Sequence, residues 1–165
     1  MRPALSLLLL LTVAACGSTR QPGLGPSRAD IAEPISCVPY ARARSGIGLA
    51  GDAWQWWDGA AGRYERGRAP RLGSVLVLDR TPRNPSGHLA VVSRVVGARE
   101  VSVDHANWAS GLARGRIATD QRVVDVSPGN DWSRVRVFYP PIRDLGVTAY
   151  PALGFVHPAT VLASR

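Results

Sequence analysis

The sequence predicts an α+β fold in which N-terminal helices pack on a mainly antiparallel β-sheet. Two observations support this prediction: helical segments come first along the chain, and a consecutive run of valine-rich strands separated by turn residues follows them. Without its first 15 residues the 165-residue chain is long enough for one domain with a sizeable core. It is too short for two domains that each bury a sizeable core.

The first predicted helix begins at Cys37 and stops at Gly46. Ser36 is a suitable N-cap residue, and Pro39 lies in the first turn, where its missing N–H costs nothing. A glycine is suited to the left-handed residue that ends a helix. The sequence therefore places a cysteine at a helix N-terminus.

A second helix is predicted from Asp52 to Gly59. Gln55 lies three residues after Asp52, the spacing of a capping box. Trp54 and Trp57 stand three apart on this helix, so both are predicted to pack on the sheet.

Five strands are predicted after the helices. They are rich in valine and are separated by proline and glycine, which is typical of antiparallel strands joined by turns. The predicted strands are Ser74–Asp79, Leu89–Val96, Glu100–His105, Val123–Ser127 and Arg134–Tyr139.

The second and third predicted strands form a hairpin, for which we predict a two-residue loop at Gly97-Ala98. With this loop His88 lies opposite Asn107, and His105 shares their face because it is two residues from Asn107. The three side chains are thus predicted to cluster at one end of the hairpin, toward the interior. Asp104 points to the other face and is predicted to be exposed.

Residues 1–15 have the pattern of an export signal: an arginine, an apolar run and small residues before Cys16. The ending Val13-Ala14-Ala15-Cys16 resembles a lipobox, in which the cysteine is acylated and becomes the mature N-terminus. Several acyl chains would hold the protein stably at a membrane. Residues 16–33, rich in Gly, Pro, Ser and Arg, are predicted to be a flexible tether, and residues 34–165 the folded domain.

The predicted localisation and partners follow from this N-terminus and from the charge. Gly17-Ser18 follow the lipobox cysteine, and the absence of Asp there resembles outer-membrane sorting in Gram-negative bacteria, with the domain facing the periplasm. The formal net charge is +8, and all 20 basic residues are arginines, which suit carboxylates or phosphates. An exported lipoprotein meets cell-wall peptides and anionic lipids, so nucleic acid is not a predicted partner.

Cys37 remains unpaired once Cys16 is assigned to the lipid, and exported chains normally pair their cysteines. A helix N-terminus and a nearby imidazole lower a cysteine pKa, and the thiolate is the nucleophile. His88 is the predicted base, and it would also protonate the leaving amine. His105 or Asn107 would orient His88. These residue types in this order predict a cysteine hydrolase.

Five segments of the chain resemble the CHAP family of cysteine, histidine-dependent amidohydrolases and peptidases, over roughly residues 35–140. The resemblance implies a papain-like α+β fold and a catalytic domain, with Cys37 as nucleophile and His88 as base and acid. It implies hydrolysis of an amide bond in peptidoglycan through a thioester, either as an N-acetylmuramoyl-L-alanine amidase or as a stem-peptide endopeptidase, without metal or cofactor. The segments are Cys37-Val38-Pro39-Tyr40-Ala41-Arg42, Ala53-Trp54-Gln55-Trp56-Trp57, Pro70-Arg71-Leu72-Gly73-Ser74-Val75-Leu76-Val77, Gly87-His88-Leu89-Ala90-Val91-Val92 and Val103-Asp104-His105-Ala106-Asn107-Trp108.

Two positions depart from the family pattern. Ser36 stands where many members have a glutamine that helps to stabilise the oxyanion, and His105 stands where Glu, Asp or Asn is common. Related papain-like cell-wall peptidases do use a histidine at the third position. The departures motivate a second hypothesis, a catalytically weak or inactive cell-wall-binding lipoprotein that keeps the fold.

Other residues and other protein classes carry weaker expectations. Trp108 and Trp56 are candidates to line a groove and stack on sugar rings, although core packing is the favoured role, and His157 is predicted to be structural. A zinc site is disfavoured because no close ligand pair is present. A redox protein is disfavoured because no second thiol is available to resolve a disulfide.

Overall fold

The computed structural model of the protein describes residues 34–108 and 114–159. The predicted export signal, the predicted lipidation site Cys16 and the predicted tether of residues 16–33 lie outside these described residues. Within them, no helix is both long enough and apolar enough to cross a bilayer.

Two short α-helices and eight strands form the described part of the chain. Helix α1 is Cys37–Ser45 and α2 is Trp56–Gly59, the latter entered through a 3-10 turn at Ala53–Gln55. A second 3-10 turn, Pro140–Ile142, follows the sixth strand. The strands are β1 Arg66–Gly67, β2 Val75–Leu78, β3 His88–Gly97, β4 Glu100–Ala106, β5 Ile117–Asp125, β6 Arg134–Tyr139, β7 Asp144–Leu145 and β8 Tyr150–Val156.

Both helices lie where the sequence predicted them. Helix α1 begins at Cys37, and it ends because Gly46 adopts φ 73° and donates its N–H to the Arg42 carbonyl. The Ser36 side chain makes no capping hydrogen bond, contrary to expectation. Asp52 and Gln55 form the predicted capping box, in which Gln55 Oε1 accepts the Asp52 backbone N–H at 2.8 Å.

The strands close into a six-stranded antiparallel barrel, which overturns the prediction of a papain-like α+β fold with N-terminal helices packed on an antiparallel β-sheet. The five predicted strands correspond to β2 through β6, although β5 begins six residues earlier than predicted. The missed strand β8 pairs with β2 on one side and with β6 on the other, which joins the two edges of the sheet. The strand order around the barrel is β8-β2-β3-β4-β5-β6, with the two-residue strands β1 and β7 appended.

Strand β8 was missed because its sequence contains Pro151 and Gly154, two residue types that ordinarily weaken a strand. The Pro151 carbonyl accepts the Asp79 N–H at 2.9 Å, so the proline still contributes an acceptor. Gly154 has φ 131°, and a Cβ there would lie 2.7 Å from the Gly67 carbonyl oxygen and 2.8 Å from the Trp57 ring. The close approach of these neighbours requires a glycine.

The β3–β4 hairpin reaches the predicted register by a different route. Residues 98–99 form the turn, so Gly97 pairs with Glu100 and the predicted loop is one residue too early. Two bulges in β3 then each insert one extra residue on that strand, which shifts the pairing by two residues in total. Beyond them Val92 pairs with Val103, as in the predicted register. The register is therefore right in the half of the hairpin that carries the histidines.

Alternate strand residues build two separate cores. One core fills the barrel interior and the other lies between the barrel wall and the helices, so β2 and β3 are apolar on both faces. The interior core includes Leu76, Leu78, Ala90, Val92, Val101, Val103, Val123, Val135, Val137 and Phe155, and the outer core includes Ala41, Ile47, Trp56, Val75, Val77, Leu89 and Val91.

Asp104 is buried, contrary to the prediction that it is exposed. It points away from the barrel interior as predicted, but α1 covers that face of the sheet and leaves the residue 5 % exposed. Its carboxylate accepts from Arg44 of α1 at 3.2 Å and from the Asp120 backbone N–H at 2.9 Å. This buried carboxylate ties α1 to β4.

We expect Asp104→Asn to lower the free energy of unfolding by about 1–3 kcal/mol, because a hydrogen bond to a charged partner is lost in a buried place. The control is Glu100→Gln, which breaks a more exposed pair with Arg122 and should cost less than about 1 kcal/mol. Urea denaturation measures both. Equal losses in the two variants would show that Asp104 has no special anchoring role.

Candidate active site

A cleft of about 870 Å³ opens at the end of the barrel where β3 begins and β4 ends. The N-terminus of α1, the β2–β3 loop and the first residue of β8 complete its walls. The predicted residues Cys37, His88, Asn107 and Trp108 all line this cleft, together with Tyr150. The structure thus brings the predicted nucleophile and the predicted base to one cavity.

Cys37 is the first residue of α1 and is half-buried. Backbone N–H groups of Leu89, Cys37 and Val38 lie close enough to its sulfur to lower the thiol pKa. Burial has the larger effect and raises that pKa, and the negative charge of Asp52 raises it further, so the net value lies above the ordinary one. The predicted lowering of the Cys37 pKa is therefore wrong, because desolvation outweighs the helix N-terminus.

The two histidines contact each other at the barrel mouth. His88 Nε2 lies 3.2 Å from His105 Nδ1, and the rings meet at 80°. Both side chains are buried. His105 is thus the described residue that hydrogen-bonds His88, while the Nδ1 atom of His88 remains available on the side of the ring not engaged by His105.

Asn107 lines the cleft without bonding to His88. Its backbone has φ 59°, and its Oδ1 accepts the Gly115 N–H at 2.8 Å, so its oxygen points to the loop that precedes β5. Of the two residues proposed to orient His88, the geometry favours His105.

Burial holds both histidines neutral. The pKa of His88 lies well below its usual value because the ring is desolvated and because His105 is adjacent. Burial lowers the pKa of His105 to about 4. At neutral pH burial thus favours the uncharged thiol of Cys37 and the uncharged imidazole of His88.

The histidine contact constrains the tautomers. For His88 Nδ1 to accept the Cys37 proton, His88 must carry its own proton on Nε2 and donate it to His105 Nδ1. His105 then carries its proton on Nε2, a buried atom with no hydrogen-bond partner in the described part of the chain. An unsatisfied buried donor costs about 1–3 kcal/mol, so the reactive tautomer has an energetic cost that a carboxylate at position 105 would avoid.

The two tryptophan candidates have different positions. Trp108 is half-buried in the cleft, with its ring centroid 4.8 Å from that of His88 and 5.6 Å from that of His105. Trp56 is fully buried in the outer core, so its candidate groove role is wrong and the favoured role, core packing, is confirmed. It packs there because the short helix α2 presents it to the barrel wall.

Sequence reasoning missed Tyr150, Arg83 and Arg114, which also line the cleft. Tyr150 packs on Trp108 with a ring separation of 5.0 Å. It belongs to the unpredicted strand β8, and the arginines lie in loops whose path the sequence does not specify.

Within residues 34–108 and 114–159, no three His, Cys, Asp or Glu side chains are placed to hold a metal ion. His157 is buried beside Gly67, outside the cleft.

Residues 29–107 match the model of the CHAP domain. The matched segment contains Cys37, His88, His105 and Asn107, and it ends before β5, just short of half the chain. The CHAP domain is associated with cysteine- and histidine-dependent amidohydrolase and peptidase activity, with peptidoglycan as substrate. A comparison with curated proteins finds no match.

Alkylation of Cys37 by iodoacetamide should accelerate steeply with pH and show no plateau near neutrality, because burial raises the thiol pKa and only the thiolate reacts. Mass spectrometry of the Cys37 peptide measures the rate. The same residue in urea-unfolded protein is the control and should titrate at lower pH. A flat rate between about pH 5 and pH 8 in the folded protein would instead indicate a thiolate–imidazolium pair.

The free energy of unfolding should decrease as the pH falls from 6.5 toward 4. The folded state keeps His88 and His105 neutral in this range, whereas the unfolded chain binds protons at the ordinary histidine pKa, so acid favours unfolding. His105→Asn should weaken this dependence. Urea denaturation at several pH values tests it, and a stability that stays constant down to about pH 5 would contradict the buried neutral pair.

Proposed function

We propose that this protein is a cysteine hydrolase that cleaves an amide bond of peptidoglycan. The observation that carries the proposal is the common cleft of Cys37 and His88, with His105 hydrogen-bonded behind His88. The match of this segment to the CHAP domain supports it independently.

In the proposed reaction, His88 Nδ1 takes the proton of the Cys37 thiol as the sulfur attacks the amide carbonyl carbon. The electron pair of the carbonyl moves to its oxygen, and the tetrahedral intermediate collapses as the amine leaves with the proton held by His88. Water, deprotonated by His88, then hydrolyses the thioester and releases the carboxylate product and the free thiol. Because burial disfavours both the thiolate and the imidazolium, proton transfer accompanies the attack.

The oxyanion has several candidate donors around the sulfur. Backbone N–H groups of Cys37, Val38 and Leu89 approach the sulfur, and the Ser36 side chain belongs to a residue of the same cleft. Oriented donors at this place stabilise the negative charge that develops on the carbonyl oxygen. They offer a substitute for the glutamine that Ser36 replaces.

The bond cut is proposed to be either the N-acetylmuramoyl-L-alanine amide or an amide within the stem peptide. We further propose that residues 1–15 are a signal peptide and that Cys16 is lipidated. The lipid would anchor the protein in the outer membrane of a Gram-negative bacterium, facing the periplasm. The lipobox resemblance supports this, and mass spectrometry of the mature N-terminal peptide would detect the acyl chains.

A second candidate is a catalytically weak or inactive wall-binding lipoprotein. Burial, which disfavours the thiolate and the imidazolium, and the unsatisfied Nε2 of His105 favour it, because both raise the barrier to forming the thiolate. This candidate requires binding to peptidoglycan without release of fragments.

The full chain in detergent should release fragments from purified peptidoglycan, as detected by mass spectrometry. We expect Cys37→Ser and His88→Ala each to lower the rate by at least about 100-fold. His105→Ala should lower it about tenfold or more, whereas His105→Asn should retain more activity because Oδ1 of asparagine occupies the place of Nδ1 and accepts from His88. His157→Asn, outside the cleft, is the matched control.

Equal turbidity loss with the wild type and with Cys37→Ser would contradict the hydrolase proposal. Pull-down of peptidoglycan by both proteins without fragment release would support the wall-binding candidate. The mass of the released fragments would distinguish the amidase from the endopeptidase.

A further inference from the structure

Two arginines that line the cleft, Arg83 and Arg114, have no side-chain hydrogen bond or ion pair in the part of the chain that the structure describes. Both are exposed. Other arginines of the domain are neutralised by neighbours: Arg44 pairs with Asp104, Arg71 with Glu65 and Arg122 with Glu100. With no partner among the described residues, these two cations are available to a ligand.

The charge of the cleft is positive at neutral pH. Asp52 is the acidic residue among those that line it, and it belongs to the capping box at the start of the 3-10 turn. His88 is held neutral by burial. The two guanidinium groups thus outweigh the negative charge, and the field favours an anionic ligand.

Both arginines line the cleft that contains Cys37 and His88. Arg114 also lines a smaller adjoining cavity of about 280 Å³ together with Ser36, the residue before the nucleophile, and Asn107. Arg83 lies in the β2–β3 loop, five residues before His88. A peptide whose carbonyl reaches Cys37 therefore lies in the same cleft as both guanidinium groups.

We propose that Arg83 and Arg114 determine specificity by binding free carboxylates of the substrate peptide close to the amide that is cut. This inference rests on the proposed function and adds a substrate class, peptides with free carboxylates in preference to amidated ones. The planar guanidinium group matches a carboxylate through two parallel hydrogen bonds. A neutral primary amide carries no negative charge to pair with the guanidinium group.

A carboxylate is favoured over a phosphate because the ligand must be part of the substrate that is hydrolysed. The group bound by the arginines must belong to a molecule that also presents an amide carbonyl to Cys37. Peptide carboxylates satisfy this requirement within one short segment. A phosphate-bearing polymer is therefore an outcome of the test and not the proposal.

Binding is measured separately from catalysis with the full-length Cys37→Ala protein and isothermal titration calorimetry. The probes are soluble muropeptides with their carboxylates free and the same muropeptides converted to primary amides. The free form should bind about tenfold more tightly, as expected for charge-assisted hydrogen bonds at a partly exposed site. Arg83→Gln or Arg114→Gln should each remove part of this preference, and the double variant should abolish it.

Arg134→Gln is the matched control. Arg134 lies on β6, is exposed, has no hydrogen bond or ion pair of its side chain among the described residues and does not line the cleft. The same loss of charge there should leave the preference unchanged. A similar effect of Arg134→Gln would show that overall charge, and not the cleft, attracts the peptide.

Three results would overturn the inference: equal affinity for free and amidated muropeptides, a preference that persists in the double variant, or no binding of either probe. Competition by glycerol phosphate as strong as that by the free muropeptide would assign the arginines to phosphate instead. If the carboxylate preference depends on the arginines but the wild type releases no fragments, only the proposed hydrolysis is overturned.

Discussion

The packing of α1 on the outer wall of the barrel is the constraint on which the candidate site depends. The outer core joins Ala41 of α1 to Leu89 and Val91 of β3, and the part-buried Arg44–Asp104 pair ties α1 to β4. This contact holds the N-terminus of α1 beside the start of β3. A shift of the helix along the sheet would separate the thiol from the imidazole without changing either residue.

Closure of the barrel has a chemical consequence as well as a structural one. Strand β8 completes the wall and supplies Tyr150 to the mouth, so that the aromatic rings and the interior core enclose the histidines. The same burial that positions His88 and His105 suppresses their protonation. The site gains precise placement of its groups, while charge separation within it becomes costly.

Most local elements were predictable because their signals are local. The Gly46 end of α1 and the strands β3, β4 and β6 follow from turn residues and from the alternation of apolar side chains. The clustering of His88 and His105 was also predicted, although the loop was misplaced by one residue and two bulges restored the register. The exposure of Asp104 was predicted wrongly because it depends on which surface of the sheet a helix covers, and this is not encoded in local pattern.

The sequence by itself determined which chemical groups are present and where the helices and most strands begin: an unpaired cysteine at a helix start and two histidines on neighbouring strands. Tertiary structure decided whether these groups meet, which residue orients His88 and the direction of each pKa shift. The reason is physical. Hydrogen-bonded turns and caps act over a few residues, whereas barrel closure, desolvation and the hydrogen bond between His88 and His105 arise between segments far apart in the chain.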